Sequence, residues 1–219
     1  MEVFSSGVPH FLPPPRVGGG GTAGGKIHLS EKSPRGFSPY IFLVRQENRK
    51  KNKTKQYKPK MYMTLGNHED RINRATNASP ELDGAISIND LQYKKFGWKC
   101  TPFKQSITVK NITFSHYFTT GVSGRPISSV HVGHALISKL HCSSVQGHSH
   151  LYNHSEQTRP DGQKIFGLSG GCYSHPNYSE NWCKDTEHQW WRGVIMLEGL
   201  DGEGYYDAIR AVTQRKIMG

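Results

Sequence analysis

Two short polar segments of this chain carry side chains that suit metal or phosphate chemistry. Residues 66–70 read Gly-Asn-His-Glu-Asp and directly follow Met-Tyr-Met-Thr at 61–64, a run suited to a buried strand. Residues 147–150 read Gly-His-Ser-His, and two histidines separated by one small residue can both turn toward a metal cluster in a tight loop after a strand. His116 stands between them at the end of an alternating apolar run. Together these groups indicate a functional site.

Strands that end where these polar segments begin must position the site. Apolar patterning predicts strands at 61–64, 107–109, 112–116, 164–168, 193–197 and 205–212, and residues 142–146 lead to the second polar strand exit. Lys110 and Asn111 separate the second and third of these strands, which is typical of a hairpin. For the apolar run at 40–44, the sequence does not decide between a strand and a short helix.

Three helices are predicted between the strands. One starts at Arg71 behind acidic residues that suit its positive end, one is capped by Asn89 or Asp90 and stops at Gly97, and one covers 131–140. Residues 119–129 are rich in Gly, Ser and Thr, so we expect a mobile loop able to fold over a pocket. This loop makes Arg125 a candidate substrate-binding residue.

The net charge of +11 is concentrated in the first part of the chain. Residues 1–60 contain 12 Lys and Arg against 3 Asp and Glu, or +9, whereas 61–219 contain 16 against 14, or +2. We expect residues 1–48 to be a low-complexity, disordered leader, 49–60 a basic linker and 61–219 the folded domain. The basic run either meets the phosphates of a nucleic acid or is a solvated linker.

The sequence contains no membrane or secretion signal. No apolar run is long enough to cross a bilayer, and the start lacks the charged-then-apolar order of a secretory signal, so we expect a soluble cytoplasmic protein without a membrane partner.

The four cysteines are Cys100, Cys142, Cys172 and Cys183, and they show neither CxxC pairing nor the density of a disulfide scaffold. This favours reduced thiols over a zinc site.

Residues 66–69, His116 and residues 147–150 resemble, in order and spacing, the last three motifs of the calcineurin-like metallophosphoesterases of bacteria and phages. The resemblance covers roughly residues 61–200. It implies an α/β fold, α+β-like in character, with two facing mixed sheets flanked by helices. It also implies a hydrolase that uses a metal-activated water on a phosphoester, with a phosphodiester such as a nucleic acid or nucleotide as the expected substrate.

The same resemblance implies roles for individual side chains. One metal ion would be ligated by Asn67, His116 and His148, and the other by His150. His68 would act beside the phosphate as general acid or charge stabiliser, oriented by Glu69 or Asp70. Imidazole and amide ligands suit Mn, Fe, Ni or Zn better than Mg, and Mn is the expected ion.

Two upstream motifs of that family are absent. Members begin with a strand ending in D-x-H and continue with G-D-x-x-D, whose aspartate bridges two metals, whereas no aspartate precedes Asp70 here. Among the earlier residues only Glu2, Glu31 and Glu47 can approximate such a carboxylate. We therefore expect a fold that lacks its first βαβ part and leaves a sheet edge exposed, with one weakly bound metal or none.

Two other functions stay open on these grounds. The chain can be a non-catalytic remnant that binds metal or phosphate at most. It can instead be a nucleic-acid-binding protein that works through its basic leader, with the remaining chain as a scaffold.

Overall fold

The computed structural model describes residues 2–6, 40–42, 59–174 and 185–218. Strands within these ranges are β1 Glu2–Ser6, β2 Tyr40–Phe42, β3 Lys60–Thr64, β4 Trp98–Thr101, β5 Ile107–Val109, β6 Ile112–Ser115, β7 Ser144–Gln146, β8 Tyr152–Thr158, β9 Lys164–Gly170, β10 Gly193–Glu198 and β11 Ala208–Thr213. The helices are α1 Asp70–Ala78, α2 Val132–Leu140 and α3 Gln214–Met218. The fold is mixed α/β with two mixed sheets and few helices, which confirms the expected class at this level.

The first sheet has the strand order β11-β10-β2-β1-β3-β4. Its β3 is the buried strand predicted at 61–64, and it runs parallel to both of its neighbours. A strand paired on both sides within a covered sheet is apolar on both faces, and Tyr62, Met63 and Thr64 are accordingly all buried.

Two strands of this sheet come from the segment expected to be a disordered leader. β1 pairs in parallel with β3, from Glu2 opposite Lys60 to Ser6 opposite Thr64, and β2 pairs antiparallel with β1. The edge of β3 on this side is therefore covered, because β1 pairs with it. The run at 40–44 contains a strand, while the remaining leader and the basic run up to residue 58 lie outside the described residues.

The second sheet has the strand order β5-β6-β7-β9-β8. The predicted hairpin is confirmed as β5 and β6, which pair antiparallel. Lys110 and Asn111 connect them with φ angles of 50° and 57°. Two successive left-handed residues form the type I′ turn that matches the twist of paired strands.

The two sheets share one hydrophobic core. Ile195 and Leu197 of β10 in the first sheet lie in the same buried cluster as Phe114 of β6 and Leu168 of β9 in the second. The strands at 164–168, 193–197 and 205–212 are confirmed by β9, β10 and β11. Because residues of both sheets pack in this one core, the sheets hold a defined position relative to each other.

One predicted helix is wrong. Residues between Asn89 and Gly97 do not form an α-helix; a 3-10 turn over Ile88–Leu91 is capped by Ser87, and the chain then leaves it through Gln92 at φ 55°. The left-handed Gln92 breaks the helical backbone, and the amide of Trp98 bonds to the carbonyl of Tyr93 at 3.1 Å to start β4. The other two predicted helices are confirmed as α1 and α2.

None of the helices in the described ranges is both long and apolar enough to span a bilayer.

The described cysteines, Cys100, Cys142 and Cys172, carry free thiols. Cys183 lies outside the described residues.

Candidate functional site

The polar segments leave strand ends that lie close together. Asn67 and His68 follow β3, His116 follows β6, and the loop with His148 and His150 follows β7. β6 and β7 are parallel neighbours, so their carboxyl ends meet at one edge of the second sheet. The amide of Gly147 bonds to the carbonyl of His116 at 3.1 Å and joins these two exits.

The Nε2 atom of His116 is the meeting point of three side chains. It lies 2.7 Å from Oδ1 of Asn67 and 3.1 Å from Nδ1 of His148. A ring nitrogen carries either one N–H or one lone pair, so only a shared, three-centre hydrogen bond could serve both neighbours at once. The other ring nitrogen of His116, Nδ1, is buried and has no hydrogen-bond partner in the described part of the chain.

Burial favours the neutral forms of His116, His148 and His150. Burial, followed by the charges of His148, His68 and His150, lowers the pKa of His116 to about 3. Burial first, then nearby positive groups that include His148, His68 and Arg192, lowers the pKa of His150 to about 4. Burial and the charge of His68 also lower the pKa of His148. Neutral imidazoles present the lone pairs that metal ions bind.

The loop that carries His148 and His150 has an unusual backbone. The two residues have φ angles of 50° and 59°, in the left-handed region that costs on the order of 1 kcal/mol for a residue with a Cβ atom. The hydroxyls of Ser149 and Ser169 bond at 2.9 Å, and the amide of Trp191 donates to the carbonyl of His150 at 3.0 Å. These contacts hold the loop against the end of β9 and against the segment that precedes β10.

The two acidic residues of the first polar segment have separate structural contacts. Glu69 is 1% exposed, and its two oxygens accept from the Gly66 amide at 2.6 Å and from the Tyr93 hydroxyl at 3.2 Å. Burial raises the pKa of Glu69, and these hydrogen bonds partly offset that effect. Asp70 opens α1 and pairs with Arg74 at 3.3 Å. The orientation of His68 by either carboxylate stays a prediction.

Arg125 is exposed on the loop after His116. Thr119 and Pro126 form an isolated bridge that ties the loop to itself, and Ile127 anchors its end in the core. Among the described residues, no hydrogen bond or ion pair joins Arg125 to the histidines. Its role in substrate binding stays a prediction.

Sequence reasoning missed several side chains around the histidines. Tyr117 lies 4.8 Å from the His148 ring, measured between ring centroids, and the Trp190 ring meets the His150 ring edge-on at 4.2 Å. Arg192 lies close enough to His150 to influence its protonation. Tyr117 directly follows His116 in the sequence, and this adjacency could have identified it as a neighbour of the site. Arg192 stands 42 positions after His150, and no spacing rule connects them.

Gly66 packs directly against the His116 ring. The position of this ring requires a residue without a side chain at Gly66. A Cβ atom at Gly66 would lie 2.7 Å from Cε1 and 2.8 Å from Nδ1 of His116. We expect Gly66→Ala to displace this ring and to lower the free energy of unfolding by about 1–3 kcal/mol, as overpacking does. Gly202→Ala is the matched control, since that position opens onto free space. Urea unfolding of both variants tests this, and equal stabilities would contradict it.

Within the described ranges, no group of three or more His, Cys, Asp or Glu side chains is arranged to hold a metal ion. The contacts at His116 fall outside that search, because one of the three side chains is the amide of Asn67 and only two are imidazoles, those of His116 and His148. Comparison of the chain with family models, with curated proteins and with solved structures finds no match.

Proposed function

We propose that this chain is a metal-dependent phosphoester hydrolase, acting on a phosphodiester such as a nucleotide, with the two-sheet arrangement of the calcineurin-like metallophosphoesterases. Three motifs of that family occur in order, and each follows a strand, namely β3, β6 and β7. The second and third of these strands are parallel neighbours. The proposal is therefore supported by both the order and the placement of these residues.

The single observation that carries the proposal is the crowding at Nε2 of His116. Two polar atoms lie within 3.1 Å of it, so its single N–H or lone pair has to be shared between the Asn67 oxygen and the His148 nitrogen. A cation bound by the Asn67 oxygen and the two imidazole nitrogens would satisfy all three groups. Neutral nitrogen and amide oxygen ligands fit Mn, Fe, Ni or Zn.

The residues therefore fit one metal ion, held by Asn67, His116 and His148. When bound, such an ion makes water a nucleophile near neutral pH and neutralises charge on the phosphoryl oxygens. His68 lies near enough to His116 and His150 for its charge to lower the pKa of both. From there, protonated His68 would donate a proton to the departing alkoxide.

The described residues give little support for a second metal ion. β1 lies beside β3 and ends in Ser5 and Ser6, neither of which is a carboxylate. His150 is then the one remaining candidate ligand for a second ion among the sequence-predicted residues. Glu31 and Glu47, two of the three earlier glutamates, lie outside the described residues. The alternative function is a remnant that binds one metal ion without turnover.

The test combines metal content with turnover. Full-length protein dialysed against Mn²⁺ should contain about one equivalent by elemental analysis and should hydrolyse bis(p-nitrophenyl) phosphate. We expect His148→Ala to lose metal and to reduce turnover at least about a hundredfold, because it removes a ligand. His134→Ala, at an exposed position of α2, is the control and should retain both.

Each other outcome has a distinct meaning. Bound Mn²⁺ without turnover in a folded sample would reject the hydrolase and leave the metal-binding remnant. Absence of Mn²⁺ would reject the metal itself. Two equivalents would contradict the single-ion assignment.

A further inference from the structure

Arg192 occupies a fixed position between the histidine loop and β10. Its Nε donates to the hydroxyl of Ser174 at 3.0 Å, and its guanidinium lies over the ring of Trp190, with 5.4 Å from Cζ to the ring centroid. The side chain is only 19% exposed. Stacking and one hydrogen bond therefore hold the guanidinium in a defined orientation.

One end of this guanidinium has no hydrogen bond from the described part of the chain. Its Nη2 atom is buried and has no hydrogen-bond partner among the described residues. The Oε1 atom of Glu187 lies 3.9 Å from Nη2, which is too far for a hydrogen bond. Glu187 also has one buried oxygen, Oε2, without a partner in the described ranges. A buried cation with an unused donor is unfavourable unless an acceptor arrives.

Arg192 also belongs to the surroundings of the histidine site. The Trp190 ring contacts both the His150 ring and the guanidinium. The backbone adds a second connection, because the amide of Trp191 bonds to the carbonyl of His150 at 3.0 Å. Movement of Arg192 relative to His150 is thus restrained by two neighbouring residues.

We infer that Arg192 is the anion-binding residue of this site and that its free donor takes a phosphoryl oxygen of the substrate. A guanidinium presents several N–H donors in a planar fork that matches phosphate oxygens. The inference rests on the proposed function for the identity of the anion as a phosphoester. Arg192 would position the phosphoryl group beside His150, while Glu187 would compete with it for the same guanidinium.

The alternative is a purely structural Arg192 that holds Glu187 and Ser174. The two roles make opposite predictions for Glu187→Gln. If the carboxylate competes with the anion, its removal should tighten anion binding about two- to fivefold, as expected for a weak ion pair. If the pair is only structural, the same change should lower stability and leave anion binding unchanged.

The experiment measures the dissociation constant of inorganic phosphate by calorimetry on the full-length chain, with and without Mn²⁺. We expect Arg192→Gln to weaken phosphate binding about ten- to hundredfold, the loss expected for hydrogen bonds to a charged group. Arg192→Lys should show an intermediate effect, because it keeps the charge and loses the fork. Arg210→Gln is the control, since Arg210 is 62% exposed and pairs with Glu198 on the surface.

The result that overturns the inference is a phosphate affinity that Arg192→Gln leaves unchanged, or wild-type protein that binds no phosphate. Circular dichroism of each variant identifies a folding defect, in which case the Arg192→Lys and Glu187→Gln affinities decide. Mn²⁺ content is measured on the same samples. If wild type binds no Mn²⁺ but phosphate affinity still depends on Arg192, the metal proposal fails and the anion site stands.

Discussion

Acidification from pH 7 to pH 5 should lower the free energy of unfolding of the metal-free protein by about 4 kcal/mol through His116 and His150 alone. Both side chains are at least nine-tenths buried. Their pKa values fall from 6.5 to about 3 and about 4 on folding, so both stay neutral at pH 5. The unfolded chain protonates both, and each therefore costs about 2 kcal/mol at pH 5.

The sign follows from proton binding. A histidine with a lowered pKa binds fewer protons in the folded state, so stability is lost as the pH falls below 6.5 and the loss continues toward pH 4 and 3. His148 changes in the same direction. Glu69 opposes this trend, because its raised pKa makes the folded state bind the extra proton near its own titration range. The net slope should still be positive between pH 5 and pH 6.5.

Urea unfolding at fixed pH values, in the presence of a chelator, measures this slope. His150→Asn should reduce the slope by up to about 1.4 kcal/mol per pH unit, the contribution of one proton. His134→Gln, at an exposed position of α2, should leave it unchanged. A pH-independent stability between pH 5 and 7 would contradict the burial of uncharged imidazoles in this site.

Sequence reasoning predicted the parts of the fold that local chemistry determines. The Met-Tyr-Met-Thr run of β3 and the Lys110–Asn111 turn each specify their conformation through their own residues. β8 was not predicted, because Tyr152–Thr158 is polar and becomes a strand through its pairing with β9. β1 likewise depends on β3, a partner more than 50 residues away. Pairing over such distances leaves no periodic signal.

The same distinction applies to the candidate site. Asn67, His116 and His148 were predictable, because polar residues directly after strands lie at sheet ends, where the structure brings them together. The contacts of Glu69 were not, because the Gly66 amide and Tyr93 hydroxyl become its partners only after the loop folds. The sequence shows which side chains follow a strand. The hydrogen-bond partners of those side chains depend on the rest of the fold.

Gly167→Ala should have the largest effect on folding of the substitutions considered. Gly167 lies in β9 directly beneath Gly133 at the start of α2, and a Cβ atom at Gly167 would lie 2.0 Å from the Gly133 carbonyl oxygen. The reverse change at Gly133 would place a Cβ atom 2.6 Å from the Gly167 oxygen and 2.9 Å from the amide of Ser155. The obstructing atoms are backbone, so no side-chain rotation relieves either contact.

The expected loss for Gly167→Ala is at least about 3 kcal/mol, at the upper end for an overpacked site, because α2 must move off the sheet. The site should respond as well, since β9 carries Ser169, which bonds the hydroxyl of Ser149 between the two loop histidines. Mn²⁺ affinity should therefore fall together with stability. Chemical denaturation and metal titration measure the two effects, with Gly202→Ala as the unobstructed control. A Gly167→Ala protein within 1 kcal/mol of wild type would mean that α2 does not rest on β9 at this glycine pair.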